Sequence, residues 1–199
     1  MITRKEMTRM LLKEGLLSCL ANNSFETVTV TSLCKASGIT RSTFYLHYSN
    51  IMEIVDDLVD DAIAYSKPGM VDNNNLQTIA NTLSAASNSV SLRAAYDSIF
   101  DRLPLCQRII RHNKYLPLFL DEQISEYVLQ RIIGREKDRQ GLVMAESLGV
   151  SFDVGVSIFI FLVYGLYAVN RQYKWSQTDE WLEAQKIIFK LVYRGLQSK

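Results

Sequence analysis

The chain has 199 residues, of which 48% are hydrophobic and 22% charged, with a formal net charge of +1. That balance supports a packed core along the whole chain, and excludes both an intrinsically disordered polypeptide and a molecule that binds polyanions through its overall charge. Three cysteines, Cys19, Cys34 and Cys106, are far apart and odd in number, which argues against a disulfide framework and fits a reducing cytoplasm.

No basic segment followed by an apolar run and a small-residue cleavage site opens the chain, so no signal peptide is expected. Only three prolines and nine glycines interrupt it. The expected class is all-α, with about nine helices. Residues 3–22 have Leu12, Leu16, Cys19 and Leu20 on one face at helical spacing. Two asparagines and a serine, Asn22 to Ser24, then break the pattern. A second helix is expected to start at Thr29 or Val30 and end at Ser37. Gly38 supplies the positive φ of a tight turn. Thr40 suits the N-cap of a third helix. Two short helices joined by a glycine turn make a helix-turn-helix, with Leu33, Ile39 and Phe44 as its apolar core. Cys34 is expected where the two helices cross, chosen for size rather than reactivity.

A fourth helix should start near Asn50. Its Glu53, Asp56, Asp57, Asp60 and Asp61 share one face, expected as a solvated stripe rather than a metal site, because side chains on an unbroken helix face diverge. Residues 1–50 hold six Lys and Arg against three acids, whereas residues 51–66 hold five acids and no Lys or Arg. Lys67 to Asn75, KPGMVDNNN, is the clearest break in the chain. Helices are then expected near residues 76–101, 105–114, 116–137, 143–172 and 178–197, with Pro104 and Pro117 at helix starts. Val154 to Val169 form a charge-free run of sixteen residues. A membrane span needs about 20, so a buried or oligomer-interface helix is expected instead.

The stretch Gly38 to Asn50, GITRSTFYLHYSN, carries six hydroxyl groups, an arginine, a histidine and an asparagine among spaced apolar residues. With Phe44 turned inward, the outward face presents Ser42, Thr43, Tyr45 and Leu46. A protein-binding face is usually more apolar, and a catalytic face needs convergent charge. Hydroxyls and a phenol can bond base edges and phosphate oxygens, and a leucine can touch a thymine methyl. The second helix of such a motif enters the major groove.

These residues, VTVTSLCKASGITRSTFYLHYSN, resemble the N-terminal domain of TetR-type transcriptional regulators. Thr29 and Val30 ahead of the second helix, Gly38 in the turn and the TFYLHY segment carry the resemblance. It implies a helix-turn-helix DNA-binding domain over residues 1–50. Residues 51–199 would then form a linking helix and an effector-binding and dimerisation domain. Thr29 and Thr31 would hold the second helix on the DNA backbone. Arg41, Ser42, Thr43, Tyr45 and Leu46 would face the groove, and His47 and Tyr48 would touch phosphate. For Tyr48, packing under the fourth helix is the equal alternative; for His47, phosphate contact is favoured over the role of a helix-capping surface histidine. The chain departs from the family at Ile51 and Ser49, where lysines are usual.

The resemblance also implies a symmetric homodimer through the last two helices. Phe159, Leu162 and Leu166, and then Trp181, Ala184, Ile188, Leu191 and Gly195, repeat at suitable spacing. The same pattern suits a core stripe within one chain. An unidentified small-molecule effector is implied among the middle helices, with Tyr96, Phe100, Phe119, Phe159 and Tyr164 as candidate lining residues. Such aromatics are otherwise simply core. Arg108, Arg111, His112 and Lys114 form a basic cluster that suits either an anionic ligand or a solvated helix end. The chain lacks a nucleophile–histidine–acid set, a Gly-rich phosphate loop and metal-ligand spacing. An enzyme, a cofactor, a metal and a membrane are therefore not expected. The expected function is a ligand-responsive, DNA-binding repressor on an inverted-repeat operator in the cytoplasm. The alternative is a protein-interaction co-regulator on the same fold with weak DNA affinity.

Overall fold

The computed structural model describes residues 3–66, 75–104, 107–108 and 114–197. Among these, ten α-helices and no strand are found, so the fold is all-α. The chain divides into two compact units, residues 1–64 with 112–132 and residues 65–111 with 133–199.

In the first unit, helix α1 (Arg4–Asn22) begins at a capping box between Thr3 and Glu6. Helix α2 (Val30–Ser37) begins at a second capping box, in which the Thr29 hydroxyl accepts from Ser32 N and the Ser32 hydroxyl accepts from Thr29 N. Gly38 ends it in the left-handed region at φ +66°. Helix α3 (Arg41–Tyr45) follows, with the Thr40 hydroxyl accepting from Thr43 N at 3.2 Å. Asn50 caps helix α4 (Ile51–Ser66) by accepting from Glu53 N, while Glu53 accepts from Ser49 N. Short helix α7 (Pro117–Leu120) and the first turns of α8 (Ser125–Leu148) complete the unit. Leu12, Leu16, Leu33, Phe44, Ile54 and Leu58 are fully buried. Cys34 is buried, as its small-residue role requires, and burial pushes its thiol above the usual range. Helices α1 and α2 themselves approach closely at Gly15, where an added β-carbon would meet Ser37.

The acidic stripe of α4 is not the solvated face that its spacing suggested. Asp57 pairs with Arg9 and Asp61 with Lys13, both from α1. Asp56 accepts a hydrogen bond from Tyr127 at 2.6 Å and lies 3.2 Å from the Arg131 guanidinium, both on α8. The correction has a simple cause. Cations at positions 9 and 13 and acids at positions 57 and 61 have the same four-residue spacing, so two packed helices satisfy both pairs at once.

In the second unit, α5 (Asn75–Ser84) and α6 (Ser89–Ser98) replace the single helix expected over residues 76–101. Asn88 is the reason: its side chain accepts from Ser91 N at 2.8 Å and starts a new helix. The expected break before residue 143 is also displaced. Gly141 lies inside α8, which runs on to Leu148 and stops at Gly149 with φ +62°. Helix α9 (Phe152–Gln172) follows, and Thr178 caps the last helix, α10 (Asp179–Gln197). Helices α5 and α6 pack against α10. The α8 and α9 backbones meet at Gly155, where an added β-carbon would lie 2.3 Å from the Gly141 carbonyl oxygen. By length and composition α9 can cross a membrane, but the core helix of a soluble protein passes the same test. Of its most apolar window, 28% is buried.

Candidate nucleic-acid interface

The turn at Gly38 sets α3 beside the start of α2. Thr29 and Thr31 are exposed at that end of α2, and Arg41 reaches back from α3 to donate to the Thr31 hydroxyl at 3.3 Å. The Thr40 hydroxyl lies 3.0 Å from that of Ser42 and 2.8 Å from that of Thr43. The hydroxyls therefore form a linked row along the outer face. Phe44 is turned inward and fully buried, and this leaves Tyr45 53% and Leu46 81% exposed. The Tyr45 ring rests edge-on against Phe44, with centroids 5.1 Å apart. An inward phenylalanine thus presents an outward phenol on one short helix and an outward leucine at its C-cap, flanked by the exposed Ser42 and the half-buried Thr43.

Tyr48 does not belong to this face. It takes the packing alternative and is buried. Its hydroxyl donates to Asp57 Oδ2 at 2.6 Å and accepts from Arg9 Nε at 3.1 Å. The Arg9 guanidinium also lies 4.8 Å from the Tyr48 ring centroid. Burial, and then the hydrogen bond to Asp57, push the Tyr48 phenol well above its usual range. Asp57 raises the Arg9 pKa in turn. His47 is half-buried, and its Nδ1 is covered and makes no hydrogen bond.

The charge near this face is smaller than the sequence count. Arg9 and Lys13 are engaged by the acids of α4. Arg4, Lys5, Lys35 and Arg41 are the exposed cations of residues 1–50. Ile51 is the first residue of α4 and Ser49 is exposed, so both departures from the family pattern lie at the α4 N-terminus. Sequence reasoning missed Arg9 and Asp57 as partners of Tyr48. Their only signal was opposite charge at equal spacing on two helices 48 residues apart.

Comparison of the chain with protein-family models, with curated proteins and with solved structures gives no match in any of the three.

Of the candidate effector residues, Phe119 belongs to the first unit, and Tyr96, Phe100, Phe159 and Tyr164 to the second. Tyr96 is a core residue. Its ring packs edge-on against Trp181, and its hydroxyl donates to Gln107, which donates to Gln185. Phe119 and Phe159 are likewise buried, while Phe100 and Tyr164 are half-buried. Of the basic cluster, Lys114 and Arg108 are among the described residues. Lys114 pairs with Glu14 at 2.7 Å in the first unit, whereas Arg108 is buried and assigned to the second. Arg111 and His112 lie outside the described residues.

The residues of the expected dimer seam differ in burial. Phe159, Leu162, Leu166 and Trp181 are buried within a single chain, and Trp181 Nε1 donates to Asn170 Oδ1 at 3.0 Å. Ala184 and Ile188 are half-buried. Leu191 is 66% exposed and Gly195 is exposed, as are Phe161 at 68% and Ile187. The periodicity therefore mixes an inward stripe, used by the chain itself, with a separate outward one.

Proposed function

We propose that this protein is a DNA-binding transcriptional regulator of the TetR type. It acts as a homodimer on an inverted-repeat operator in the cytoplasm, and it is a ligand-responsive repressor rather than an enzyme. The observation that carries this reading is the outward face of α3. Thr43 and Tyr45 stand on a helix whose other side is locked into the core by Phe44, and Leu46 stands at its C-cap. A solvent-facing row of hydroxyls with a phenol and a leucine matches what base edges and phosphates accept. The exposed apolar side chains Phe161, Ile187 and Leu191 on the last two helices support self-association. A two-fold dimer presents two identical reading heads, hence the inverted repeat. An effector bound within residues 51–199 would act by favouring the dimer conformer with one spacing of those heads.

A second reading, a co-regulator that binds protein partners, is favoured by one specific feature. Ile51 stands where a phosphate-anchoring lysine is usual, and two nearby cations are already engaged by α4. Selection of duplexes from a random library with the full-length protein, followed by affinity measurements at low and moderate salt, tests the first reading. Recovery of a common inverted repeat supports it. Failure to enrich any sequence at low salt favours the co-regulator.

A further inference from the structure

Helix α3 has only five residues, so its own hydrogen bonds cannot hold it in a fixed orientation. Two buried side chains anchor it, beside the exposed Arg41–Thr31 hydrogen bond. Phe44 does so through apolar packing, which has little directional preference. Tyr48 follows the helix rigidly, because Tyr48 N and His47 N both donate to the Phe44 carbonyl, at 3.0 and 2.9 Å. Its hydroxyl supplies direction. It donates to Asp57 Oδ2 at 2.6 Å, the same oxygen that accepts from Arg9 Nη2 at 2.5 Å, while Arg9 Nε donates back to the Tyr48 oxygen at 3.1 Å. The three groups close a ring, and the guanidinium lies 4.8 Å from the phenol centroid. Charge-assisted hydrogen bonds are short and geometrically selective, and a planar guanidinium makes two of them at once as a lysine cannot. One partner sits on α1, one on α4 and one just beyond α3.

We propose that Arg9 and Asp57 are positioning residues for sequence reading. Joined through the Tyr48 hydroxyl, they fix the orientation in which α3 presents Thr43, Tyr45 and Leu46 to base edges. The proposal rests on the DNA-binding reading. It assigns a role to residues outside the outward face of α3, and it gives the inward Tyr48 a purpose other than phosphate contact. Loss of the ring would leave α3 in place, held by Phe44, but free to rotate. Specific contacts would suffer and generic backbone attraction would not.

The test uses the full-length protein and two variants, Tyr48→Phe, which keeps the aromatic ring, and Asp57→Asn, which keeps the shape. Affinity is measured for the duplex that the unmodified protein selects and for a scrambled duplex of equal composition. Amide hydrogen exchange is followed over residues 41–48 and over α1. For Tyr48→Phe the selected duplex should bind about tenfold more weakly, the scale of one well-placed base contact. The scrambled duplex should bind as before. Exchange should quicken over residues 41–48 while α1 stays protected, and Asp57→Asn should move in the same direction. If Asp57→Asn does not fold, Tyr48→Phe decides alone. A Tyr48→Phe protein that melts earlier but keeps the full preference for the selected duplex overturns the proposal, since the ring would then serve stability only. A selection that recovers no duplex overturns the DNA-binding reading and the positioning role with it. The exchange measurement then reports separately whether the ring orders α3.

Discussion

Gly15 on α1 and Ser37 at the end of α2 lie so close that a β-carbon on Gly15 would fall 2.1 Å from the Ser37 hydroxyl oxygen and 3.1 Å from its β-carbon. The hydroxyl cannot swing away without loss, because it donates to the Leu33 carbonyl at 2.8 Å. Gly15→Ala should therefore force the helices apart and destabilise the protein by about 1–3 kcal/mol, despite the better helix propensity of alanine. Adding Ser37→Ala should recover only part of this, because its β-carbon remains. Urea unfolding of the two variants, followed by circular dichroism, checks both outcomes. Stability equal to the parent protein in Gly15→Ala would mean that the helices give way cheaply.

The outward residues of α3 should behave oppositely. Tyr45→Ala removes a ring that is half in solvent, so melting temperature should hardly change. Thr43→Ala loses a hydroxyl contact with Thr40 and should cost little more. Each should weaken binding to a selected duplex by about 1–3 kcal/mol, the value of a lost base or phosphate contact. Anisotropy titrations beside thermal melts separate the two effects. Unfolding of Tyr45→Ala, or unchanged affinity in both variants, would rule out the reading face.

Ile51 opens α4, at a position that the DNA-binding proposal sets against phosphate. Ile51→Lys should strengthen binding to selected and scrambled duplexes about equally, since phosphate contacts carry no sequence information. The slope of log affinity against log salt should steepen by about 0.9 per contact, so by roughly 2 for a dimer. The added cation also opposes the helix dipole, so the protein alone should lose about 0.3–1 kcal/mol of stability. Titrations at several salt concentrations test the slope. An unchanged slope would show that the α4 N-terminus does not face the backbone.

The division of the apolar stripe of α10 gives a paired prediction. Trp181 is fully buried, so Trp181→Ala should cost about 3–5 kcal/mol and disturb the fold itself. Leu191 is exposed in a single chain, so Leu191→Glu should leave the chain folded but disfavour a dimer that buries it. Sedimentation should find folded monomers for Leu191→Glu, alone or with Phe161→Glu. A fully dimeric double variant would move the interface off this face.

Much of the first unit was legible because its signals are local. Thr29, Gly38, Thr40 and Asn50 each act on backbone groups within four residues, so cap, turn and helix start can be read from sequence alone. The all-α class followed from helical periodicity for the same reason. Two signals in the second unit are equally local, but helical periodicity outweighed them. Asn88 split a helix that periodicity ran together, and Gly149 rather than the segment before residue 143 ended α8. Spacing alone assigned Trp181 and Leu191 to one seam, yet a repeat of three and four residues fits two neighbouring faces of a helix equally well. Only packing separates them.

The sequence by itself determined the helix-turn-helix segment and the outward chemistry of α3, because an inward Phe44 fixes where Thr43, Tyr45 and Leu46 must point. The tertiary structure decided what the charges do. Arg9 and Lys13 looked like surface cations and Asp57 and Asp61 like a solvated stripe, and Tyr48 had two equal roles. Each of these groups has a partner about forty or more residues away, and a charge becomes an anchor only when folding brings its counter-charge within hydrogen-bond distance and takes both partly out of water.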